Sequence, residues 1–355
     1  MSVDGFDRMY FVVPEGIDDH RQVSGGNVYD RHLRDGLREL GWDVAMISVA
    51  EPRRRETERA LIRIPDGAVV LVDGLVGVQA PDALTDHAPR LRLVVLAHMV
   101  ASRVRDDDKM SIAGRGIDDR EHTALAAASR IITTSNWTRN ELIARGIDPH
   151  LLVVAPPGTV PAPASIGSTT GGRLLCVGAV AHHKGQDLLI RALSGLSDLH
   201  GWTCALVGSR TVAPDFVDEM TELAAASGLA DRIAFTGILT GTPLENEFAR
   251  ADLVVAPSRV ESYGMAAAEA LAHGVPVLAT RVGGLPEAIS YAQAGILVPP
   301  DDVDALAVEL RRWLLDPTRR SSFRSGARDA REHTRSWSVA SRIVAEALLD
   351  LERVA

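Results

Sequence analysis

Two glutamates eight positions apart form the most specific chemical pattern in this sequence. Glu261 and Glu269 bound the segment ESYGMAAAE, in which we expect Gly264 and Met265 to begin a helix. The unpaired N–H groups of a helix N-terminus bind anions, and carboxylates accept hydrogen bonds from sugar hydroxyls. The segment therefore predicts a site for a phosphate beside a sugar. The alternative interpretation is a pair of ordinary surface acids.

A lysine in the second half of the chain could neutralise the same phosphate. Lys184 and Gly185 stand between a strand that ends at Gly178 and a predicted helix, and the chain has one other lysine, Lys109. A cation beside a helix N-terminus favours a phosphate, whereas a solvated surface lysine is the simpler alternative. The His-His pair before this lysine has no cysteine or acidic partner at metal-ligand spacing.

Two features of the first half could also serve a ligand. Gly25 and Gly26 follow the first predicted strand and open a helix, where glycines let a phosphate approach the backbone, although a plain glycine turn also fits. This stretch matches neither G-x-G-x-x-G nor the P-loop, which argues against an oxidoreductase or an ATPase. His98 follows the apolar run Leu91–Leu96, at a strand end, where parallel sheets bind ligands. A histidine satisfied by hydrogen bonds within the core is the alternative.

Short apolar runs alternate with amphipathic stretches along almost the whole chain, which is typical of βαβ units and a parallel sheet. The segment Thr159–Gly172 is rich in Pro, Gly, Ser and Thr and is interpreted as an exposed linker between two domains. The predicted strands before it are Met9–Val13, Val44–Val49, Val69–Val72, Leu91–Leu96, Ile131–Thr134 and Leu151–Val154, and those after it are Arg173–Val177, Cys204–Val207, Arg232–Phe235, Leu253–Ala256, Pro276–Ala279 and Gly295–Val298.

The composition indicates a globular protein and argues against several classes. The 355 residues are 46% hydrophobic and carry a net charge of −9, so the chain can form a core and lacks the basic balance of most nucleic-acid binders. Two cysteines make no disulfide framework, no apolar run reaches the length of a membrane span, and the start MSVDGFDRMY lacks the basic region of a signal peptide. We therefore expect a cytoplasmic protein. The acidic run Asp106–Asp108 is interpreted as solvated surface rather than as a metal site.

The chain resembles the retaining nucleotide-sugar glycosyltransferases of the GT-B fold, specifically glycosyltransferase family 4. The resemblance covers nearly the whole sequence and is strongest over Arg173–Pro300. There the E-x7-E pattern lies within PSRVESYGMAAAEALAHGVPVLAT and is followed by VGGLPEAI and GILVPPDD in the family's order and spacing. It implies an α/β architecture of two Rossmann-like, doubly wound parallel-sheet domains that face a cleft. The implied parts are an acceptor-side domain over 1–158, a linker over 159–172, a nucleotide-sugar donor domain over 173–335, and a C-terminal helix over 336–355 that crosses back to the first domain.

The resemblance also implies a role for each candidate residue. It assigns catalytic roles to His98, beside the transferred sugar, to Lys184, on the diphosphate, and to Glu261, on the donor hexose. Glu269 would hold the ribose hydroxyls, and the N–H groups at the start of the following helix would lie near the phosphates. The implied donor-binding residues are Gly25, Gly26, Lys184, Glu261, Ser262, Tyr263, Gly264, Met265 and Glu269.

The activity that the resemblance implies is transfer of a hexose from a UDP- or GDP-sugar to a hydroxyl acceptor, with retention at the anomeric carbon. No metal ion and no cofactor are expected, because the nucleotide sugar is a substrate. The acceptor would be a small molecule, a glycan or a lipid-linked molecule. The family's Gly-Arg step reads Gly178-Ala179 here, so His182, His183 or an arginine elsewhere would have to supply the missing cation. A catalytically silent nucleotide-sugar binding protein on the same fold is therefore the alternative.

Overall fold

The structure is a computed structural model that describes residues 8–50, 54–103, 116–291 and 293–353. The acidic run Asp106–Asp108 lies outside these residues. Contacts divide the chain into two units: the described residues up to Gly158 together with those from Ser336 onward form the first, and Thr159–Arg335 form the second. Each unit contains a parallel sheet flanked by helices, so the expected α/β fold with two doubly wound sheets is confirmed.

Strands and helices alternate over most of the described residues, and three successive helices follow the last strand. The strands are β1 (Arg8–Pro14), β2 (Asp43–Val49), β3 (Val69–Asp73), β4 (Arg92–Ala97), β5 (Arg130–Thr133), β6 (Leu152–Val154), β7 (Arg173–Val177), β8 (Thr203–Val207), β9 (Ile233–Gly237), β10 (Leu253–Ala256), β11 (Val277–Thr280) and β12 (Gly295–Val298). The helices are α1 (Gly25–Glu39), α2 (Arg54–Leu61), α3 (Gly74–Gln79), α4 (Pro81–His87), α5 (Ile117–Ala126), α6 (Asn136–Ala144), α7 (Gln186–Ser194), α8 (Pro214–Ala226), α9 (Thr242–Arg250), α10 (Met265–Ala272), α11 (Leu285–Ala288), α12 (Val303–Leu315), α13 (Pro317–Arg331) and α14 (Trp337–Arg353). Across the described ranges, none of these helices combines the length and the hydropathy that crossing a bilayer requires.

The first unit is built on a six-stranded parallel sheet in the order β2-β1-β3-β4-β5-β6. Successive side chains of β1 point to opposite faces of this sheet. Phe11 therefore packs in a cluster with Leu33 of α1, whereas Val12 packs in a second cluster with Leu84 of α4. The strand order reverses between β1 and β3, and in doubly wound sheets such a reversal is where ligands bind.

The C-terminal helix α14 packs against α1 in the first unit. Val344 and Leu348 are fully buried in the cluster that also holds Leu33 of α1. Gly36 permits this close packing, because a Cβ atom there would collide with the side chain of Ser341 on α14. The last helix of the chain therefore completes a core that the N-terminal residues begin.

The second unit is built on a six-stranded parallel sheet in the order β12-β11-β10-β7-β8-β9. Its largest fully enclosed side chains are Trp202 and Trp313, which pack on the face covered by α7 and α12. A second cluster covers the other face and includes Leu271 of α10. The strand order reverses between β7 and β10, so the loops after these two strands flank the switch point of this sheet.

The segment Thr159–Gly172, whose composition predicts an exposed linker, is bound to the second unit. The backbone N–H of Ser165 donates to the carbonyl of His273 at 2.7 Å. The buried carboxylate of Asp252 accepts from the backbone N–H and the hydroxyl of Ser168, each at 2.5 Å. Much of the segment is exposed, as its composition predicts, while Ser168 supplies donors that the buried carboxylate of Asp252 requires.

Candidate functional site

The loops after β7 and β10 carry the two most specific candidates from the sequence. Lys184 lies in the loop after β7, and Glu261 lies in the loop after β10, on either side of the point where the strand order reverses. Parallel sheets bind ligands beyond the carboxyl ends of their strands at such a reversal. The topology thus brings together two residues that are 77 positions apart in the sequence.

Lys184 and Glu261 form an ion pair at this switch point. The Nζ atom of Lys184 donates to Oε2 of Glu261 at 2.6 Å, while 24% of the lysine side chain and 18% of the glutamate side chain remain exposed. The two charges offset each other and are still reachable from solvent. A ligand can therefore exchange into the pair, with a phosphate oxygen on the ammonium group and a hydroxyl on the carboxylate.

Two glycines shape the loop that carries Lys184. Gly178 has φ +153°, a conformation that residues with a side chain rarely adopt, and it lies against the stem of Lys184. Gly185 has φ +69°, and a Cβ atom on it would collide with the carbonyl of Pro257 in the loop after β10. The two loops can approach each other only because this position is a glycine.

A third loop supports the backbone on both sides of Glu261. The N–H of Gly284, which follows β11, donates to the carbonyl of Glu261 at 3.0 Å. A Cβ atom on Gly283 would collide with that same carbonyl, and a Cβ atom on Gly284 would collide with the carbonyl of Ser262. The glycine loop after β11 therefore fixes where the carboxylate of Glu261 is held.

Arg259, which the sequence does not single out, joins the loops after β7 and β10. Its guanidinium donates to both carboxylate oxygens of Asp187 at 2.7 Å, to Asp301 at 2.7 Å and to the carbonyl of His182 at 2.8 Å. Burial alone would raise the pKa of Asp187, but the bonds from Arg259 lower it. Because these donors are engaged within the protein, Arg259 orients the loops and is not a spare cation for a ligand.

The N-terminus of α10 opens next to Glu261. Gly264 has φ +103°, and among the described residues no side chain caps the first turn of this helix. Tyr263 is buried, and burial raises the pKa of its hydroxyl, whereas Ser262 and Met265 are half-buried. The first N–H groups of α10 are therefore without a side-chain acceptor, which is the arrangement that binds an anion.

Glu269 lies one turn inside α10, and the pKa of its carboxyl group is unusually high. Burial raises the pKa of its carboxyl group to about 7. The residue is half-buried, and within the described ranges no cation or hydrogen-bond donor of the protein contacts this side chain to offset the cost of its charge. A pair of ligand hydroxyl groups would supply the donors that the ionised form lacks.

In the first unit, His98 lies between two buried acids that sequence reasoning missed. The Nε2 atom of His98 is 2.9 Å from Oδ1 of Asp30 and 3.2 Å from Oδ2 of Asp73. Asp30 comes from α1 and Asp73 ends β3, so the cluster lies where the strand order of this sheet reverses. The three ligand-type atoms are within 4.8 Å of one another, a grouping that could also hold a metal ion.

Burial and the neighbouring charges shift the pKa values of this cluster in opposite directions. Burial alone would lower the pKa of His98, but the two carboxylates outweigh it and raise the value to about 10. Burial raises the pKa of Asp30 to about 6, and the neighbouring His98 opposes that rise. Near neutral pH the cluster therefore holds a cationic His98 beside an ionised Asp30.

Gly25 and Gly26 begin α1, as the sequence predicts, and one of them lies against His98. The hydroxyl of Ser24 caps the helix by accepting from the N–H of Asn27 at 3.1 Å. A Cβ atom on Gly26 would lie 3.4 Å from Cδ2 of His98. Gly26 therefore places the first turn of α1 beside the histidine ring.

Two features of the sequence point to Asp73 and Asp30, the acids that sequence reasoning missed. Asp73 ends an otherwise apolar strand in a parallel sheet, and strand ends are where ligand-binding residues collect. Asp30 directly follows Tyr29 on the buried face of an amphipathic helix, where an acid is rare unless it is paired. Neither signal identifies the partner, because both acids meet His98 only through the tertiary fold.

The loop position at Ala179, where the family resemblance implies an arginine, is held by neutral contacts. The side-chain amide of Gln186 donates to the carbonyl of Ala179 at 2.9 Å. The ring of His182, one expected substitute, lies edge-on to Phe216 at 6.1 Å. The neighbouring loop after β8 carries the exposed Arg210, which follows Ser209, so Arg210 joins the candidates for the missing cation.

Comparison with known proteins finds its family match in the part of the chain that contains Lys184 and Glu261. Residues 165–330 match the family described as glycosyl transferases group 1. A D-inositol 3-phosphate glycosyltransferase from Kineococcus radiotolerans is 32% identical over 288 residues, which are 73% of this chain and 64% of that relative. The chain thus matches somewhat less than two thirds of the length of this curated relative.

Solved structures resemble the whole described fold. A sucrose-phosphate synthase from Thermosynechococcus elongatus has a TM-score of 0.78 at 20% identity, covering 98% of this chain and 100% of that chain. Anabaena Alr3699/HepE in complex with UDP and glucose has a TM-score of 0.74 at 18% identity, covering 97% of this chain and 99% of that chain. At such identities the likeness shows the fold, which is the GT-B arrangement of two parallel-sheet domains.

Proposed function

We propose that this protein is a glycosyltransferase that uses a nucleoside-diphosphate sugar, since residues 165–330 match the family described as glycosyl transferases group 1. The observation that carries the proposal is the half-buried, solvent-accessible Lys184–Glu261 ion pair beside the uncapped N-terminus of α10. These groups offer a cation and N–H donors for a diphosphate and an acceptor for a sugar hydroxyl. The solved structure of HepE with UDP and glucose shows a similar fold with such ligands.

The diphosphate would lie between Lys184 and the first turn of α10. Breaking the bond from the anomeric carbon to this diphosphate leaves negative charge on the leaving group, and a sugar with oxocarbenium character on the other side. Lys184 and the N–H groups of Gly264 and Met265 would stabilise that charge as it develops. The reaction would need no metal ion at this site, because these donors supply the positive potential.

The two glutamates would hold hydroxyl groups on opposite sides of the diphosphate. Glu261, freed from Lys184 by the phosphate, would accept from hydroxyls of a transferred hexose. Glu269 would accept from the ribose hydroxyls of a UDP or GDP moiety, and these donors would stabilise its ionised form. His98 would contact the donor sugar, and the acceptor would be a small molecule, a glycan or a lipid-linked molecule. The family resemblance favours transfer with retention at the anomeric carbon.

The first experiment is a thermal-shift panel with UDP, GDP, ADP, TDP and NAD, each with and without magnesium. A ligand at 100 times its Kd stabilises the folded protein by about 2.7 kcal/mol, which is readily detected. We expect one nucleoside diphosphate to raise Tm equally with and without magnesium, and its sugar derivatives are then tested for transfer. The anomeric configuration of the product, read by NMR, tests retention. A shift with NAD alone would refute the proposal.

Two substitutions test the site itself. We expect Lys184→Ala and Glu261→Ala each to lower the rate of sugar transfer by at least about tenfold, because each removes a charged contact to the donor. Glu222→Ala, on the exposed side of α8, is the matched control and should keep the wild-type rate. Circular dichroism checks that all three variants are folded. Wild-type rates in both site variants would overturn the site assignment.

One observation favours a second candidate, a nucleotide-sugar binding protein without turnover. Ala179 stands where the family resemblance implies an arginine, so the diphosphate site has one cation fewer at that position. A silent protein would show the thermal shift but would form no glycosylated product and release no nucleoside diphosphate. Product formation with any acceptor excludes this candidate.

A further inference from the structure

We propose that Asp30 and Asp73 are positioning residues for His98. They hold its imidazole ring in one orientation as a cation, with Nε2 bound to the acids and Nδ1–H left to donate to a ligand oxygen. That this oxygen belongs to the sugar donor rests on the proposed function. The orientation and the charge of the ring rest on the cluster alone.

The two contacts of Nε2 determine where its proton is. Oδ1 of Asp30 lies at 2.9 Å and Oδ2 of Asp73 at 3.2 Å, and ionised carboxylate oxygens only accept hydrogen bonds. While both acids are ionised, Nε2 must therefore carry a proton in every form of the ring that keeps these contacts. A neutral ring would then present a bare acceptor at Nδ1, whereas the cation presents a second donor there.

The surroundings of the two acids favour the cation. Oδ1 of Asp73 accepts from the backbone N–H groups of Leu75 at 2.7 Å and Val76 at 3.2 Å, so backbone dipoles offset its charge. Oδ2 of Asp30 is enclosed and has no partner among the described residues. Since only His98 is described as a cationic partner of the ionised Asp30, losing the ring's charge would leave that carboxylate uncompensated.

The remaining contacts fix the plane of the ring without adding charge. Tyr29 of α1 meets the ring edge-on at 5.3 Å, and its hydroxyl donates to the carbonyl of Ala155 at 2.8 Å. The hydroxyl of Thr134, after β5, donates to the carbonyl of His98 at 3.3 Å. The titratable groups that face His98 from the described elements are therefore Tyr29, Asp30 and Asp73, of which only the two acids are charged near neutral pH.

The other ring nitrogen is available to a ligand. Nδ1 of His98 has no hydrogen-bond partner among the described residues. It is also absent from the enclosed polar atoms that lack a partner, so solvent or a ligand can reach it. The side chain as a whole is only 9% exposed, so the exposed part presents a narrow, fixed donor rather than a mobile one. A charge-assisted donor held in this way suits an oxygen that gains negative charge during a reaction.

The direct test reads the ring by NMR in the full-length protein without any donor. Histidines are labelled with ¹⁵N, and the signal of His98 is identified among the 11 histidines by its loss in His98→Gln. We expect both ring nitrogens of His98 to be protonated at pH 8 in the wild type. In Asp30→Asn/Asp73→Asn the ring should be neutral at that pH, because burial remains and the carboxylates are gone. Asp73→Asn alone preserves the cap of α3, since asparagine also caps helices, and serves if the double variant does not fold.

A kinetic test separates positioning from a purely structural role. At pH 8 we expect Asp30→Asn/Asp73→Asn to lower kcat by at least about tenfold and to change KM for the donor by less than about threefold. As the pH is lowered toward about 5.5, where an ordinary histidine is charged, the ratio of variant to wild-type kcat should rise. Asp82→Asn, an exposed acid paired with Arg54 in the same unit, is the matched control and should follow the wild type at every pH.

The outcomes distinguish this proposal from the proposed function. A neutral His98 at pH 8 in the wild type, or an unchanged ring in folded Asp30→Asn/Asp73→Asn and Asp73→Asn, would overturn it even if the protein transfers sugar. A stoichiometric metal ion that copurifies with the wild type and is lost in Asp30→Asn would overturn it in favour of a metal centre. If the wild type transfers no sugar from any donor, the proposed function fails, while the NMR experiment still decides the state of the ring.

Discussion

At the scale of single residues, the carboxyl group of Glu269 predicts that ligand binding depends on pH. Burial raises its pKa to about 7, so the folded protein keeps it protonated at pH values where a free glutamate is charged. A protonated carboxyl is a poorer acceptor for two ribose hydroxyls than a carboxylate. Its contribution to ligand binding should therefore be absent well below about pH 7 and present above it.

We expect the affinity of the wild type for its nucleoside diphosphate to increase as the pH rises from 6 to 8. Glu269→Gln, which removes the titration and keeps the shape, should show a smaller increase over the same range. Isothermal titration calorimetry of both proteins at each pH measures the difference, and the ionisation of the ligand cancels between them. Parallel curves for the two proteins would contradict the assigned role of Glu269.

Single residues also show where prediction from the sequence ends. Lys184 and Glu261 stand out because of their spacing relative to strands and glycines, and the structure joins them at 2.6 Å. Asp30 and Asp73 carry local signals only of burial and of a strand end, and neither signal shows that both acids approach one histidine from different elements. Contacts between distant elements depend on strand order, which the sequence pattern alone does not specify.

At the scale of elements, the glycine loop after β11 positions the loop of Glu261, and a single glycine-to-alanine substitution tests this role. Gly283 has φ +54°, and a Cβ atom on it would collide with the carbonyl of Glu261. Gly228, at the end of α8, has φ +69° and no atom within 4 Å of the same added Cβ atom. Alanine is strained at both positions by about 1 kcal/mol, but only Gly283→Ala must also move the loop of Glu261.

We therefore expect Gly283→Ala to weaken binding of the nucleoside diphosphate or its sugar by at least about tenfold, and Gly228→Ala to leave Kd unchanged. Both variants should lose a small amount of Tm from backbone strain, and Gly283→Ala should lose more because its loop must also move. Calorimetric titration gives Kd, and differential scanning calorimetry gives Tm. Equal Kd values in the two variants would show that the position of the Glu261 loop does not matter for binding.

The strands are the elements that the sequence predicts best. All twelve predicted strands are present within one or two residues of their expected bounds, because buried parallel strands are short and almost wholly apolar. The segment Thr159–Gly172 is the contrasting case, since its composition indicates a linker while its donors satisfy the buried carboxylate of Asp252. Apolar patterning reveals burial of side chains, whereas the hydrogen bonds that hold a largely exposed segment leave little trace in composition.

At the scale of the whole molecule, the first unit depends on the two ends of the described chain. Leu348 of α14 is fully buried in the same cluster as Leu33 and Leu37 of α1 and Phe11 of β1. That cluster contains no residue of the second unit. Loss of the Leu348 side chain should therefore weaken the first unit and leave the core of the second unit intact.

Removing a fully buried leucine side chain typically destabilises a core by about 2–5 kcal/mol, because it loses contacts and leaves a cavity. We expect Leu348→Ala to accelerate amide hydrogen exchange in β1–β6 and to leave exchange in β7–β12 at the wild-type rate. Exchange measured by mass spectrometry assigns the change to each strand, which a single unfolding midpoint of a two-unit chain cannot do. Leu315→Ala, on α12, removes an equal side chain that is 59% exposed and should alter neither sheet. Faster exchange in both sheets of Leu348→Ala would mean that the two units unfold together, so that the C-terminal helix stabilises the entire protein.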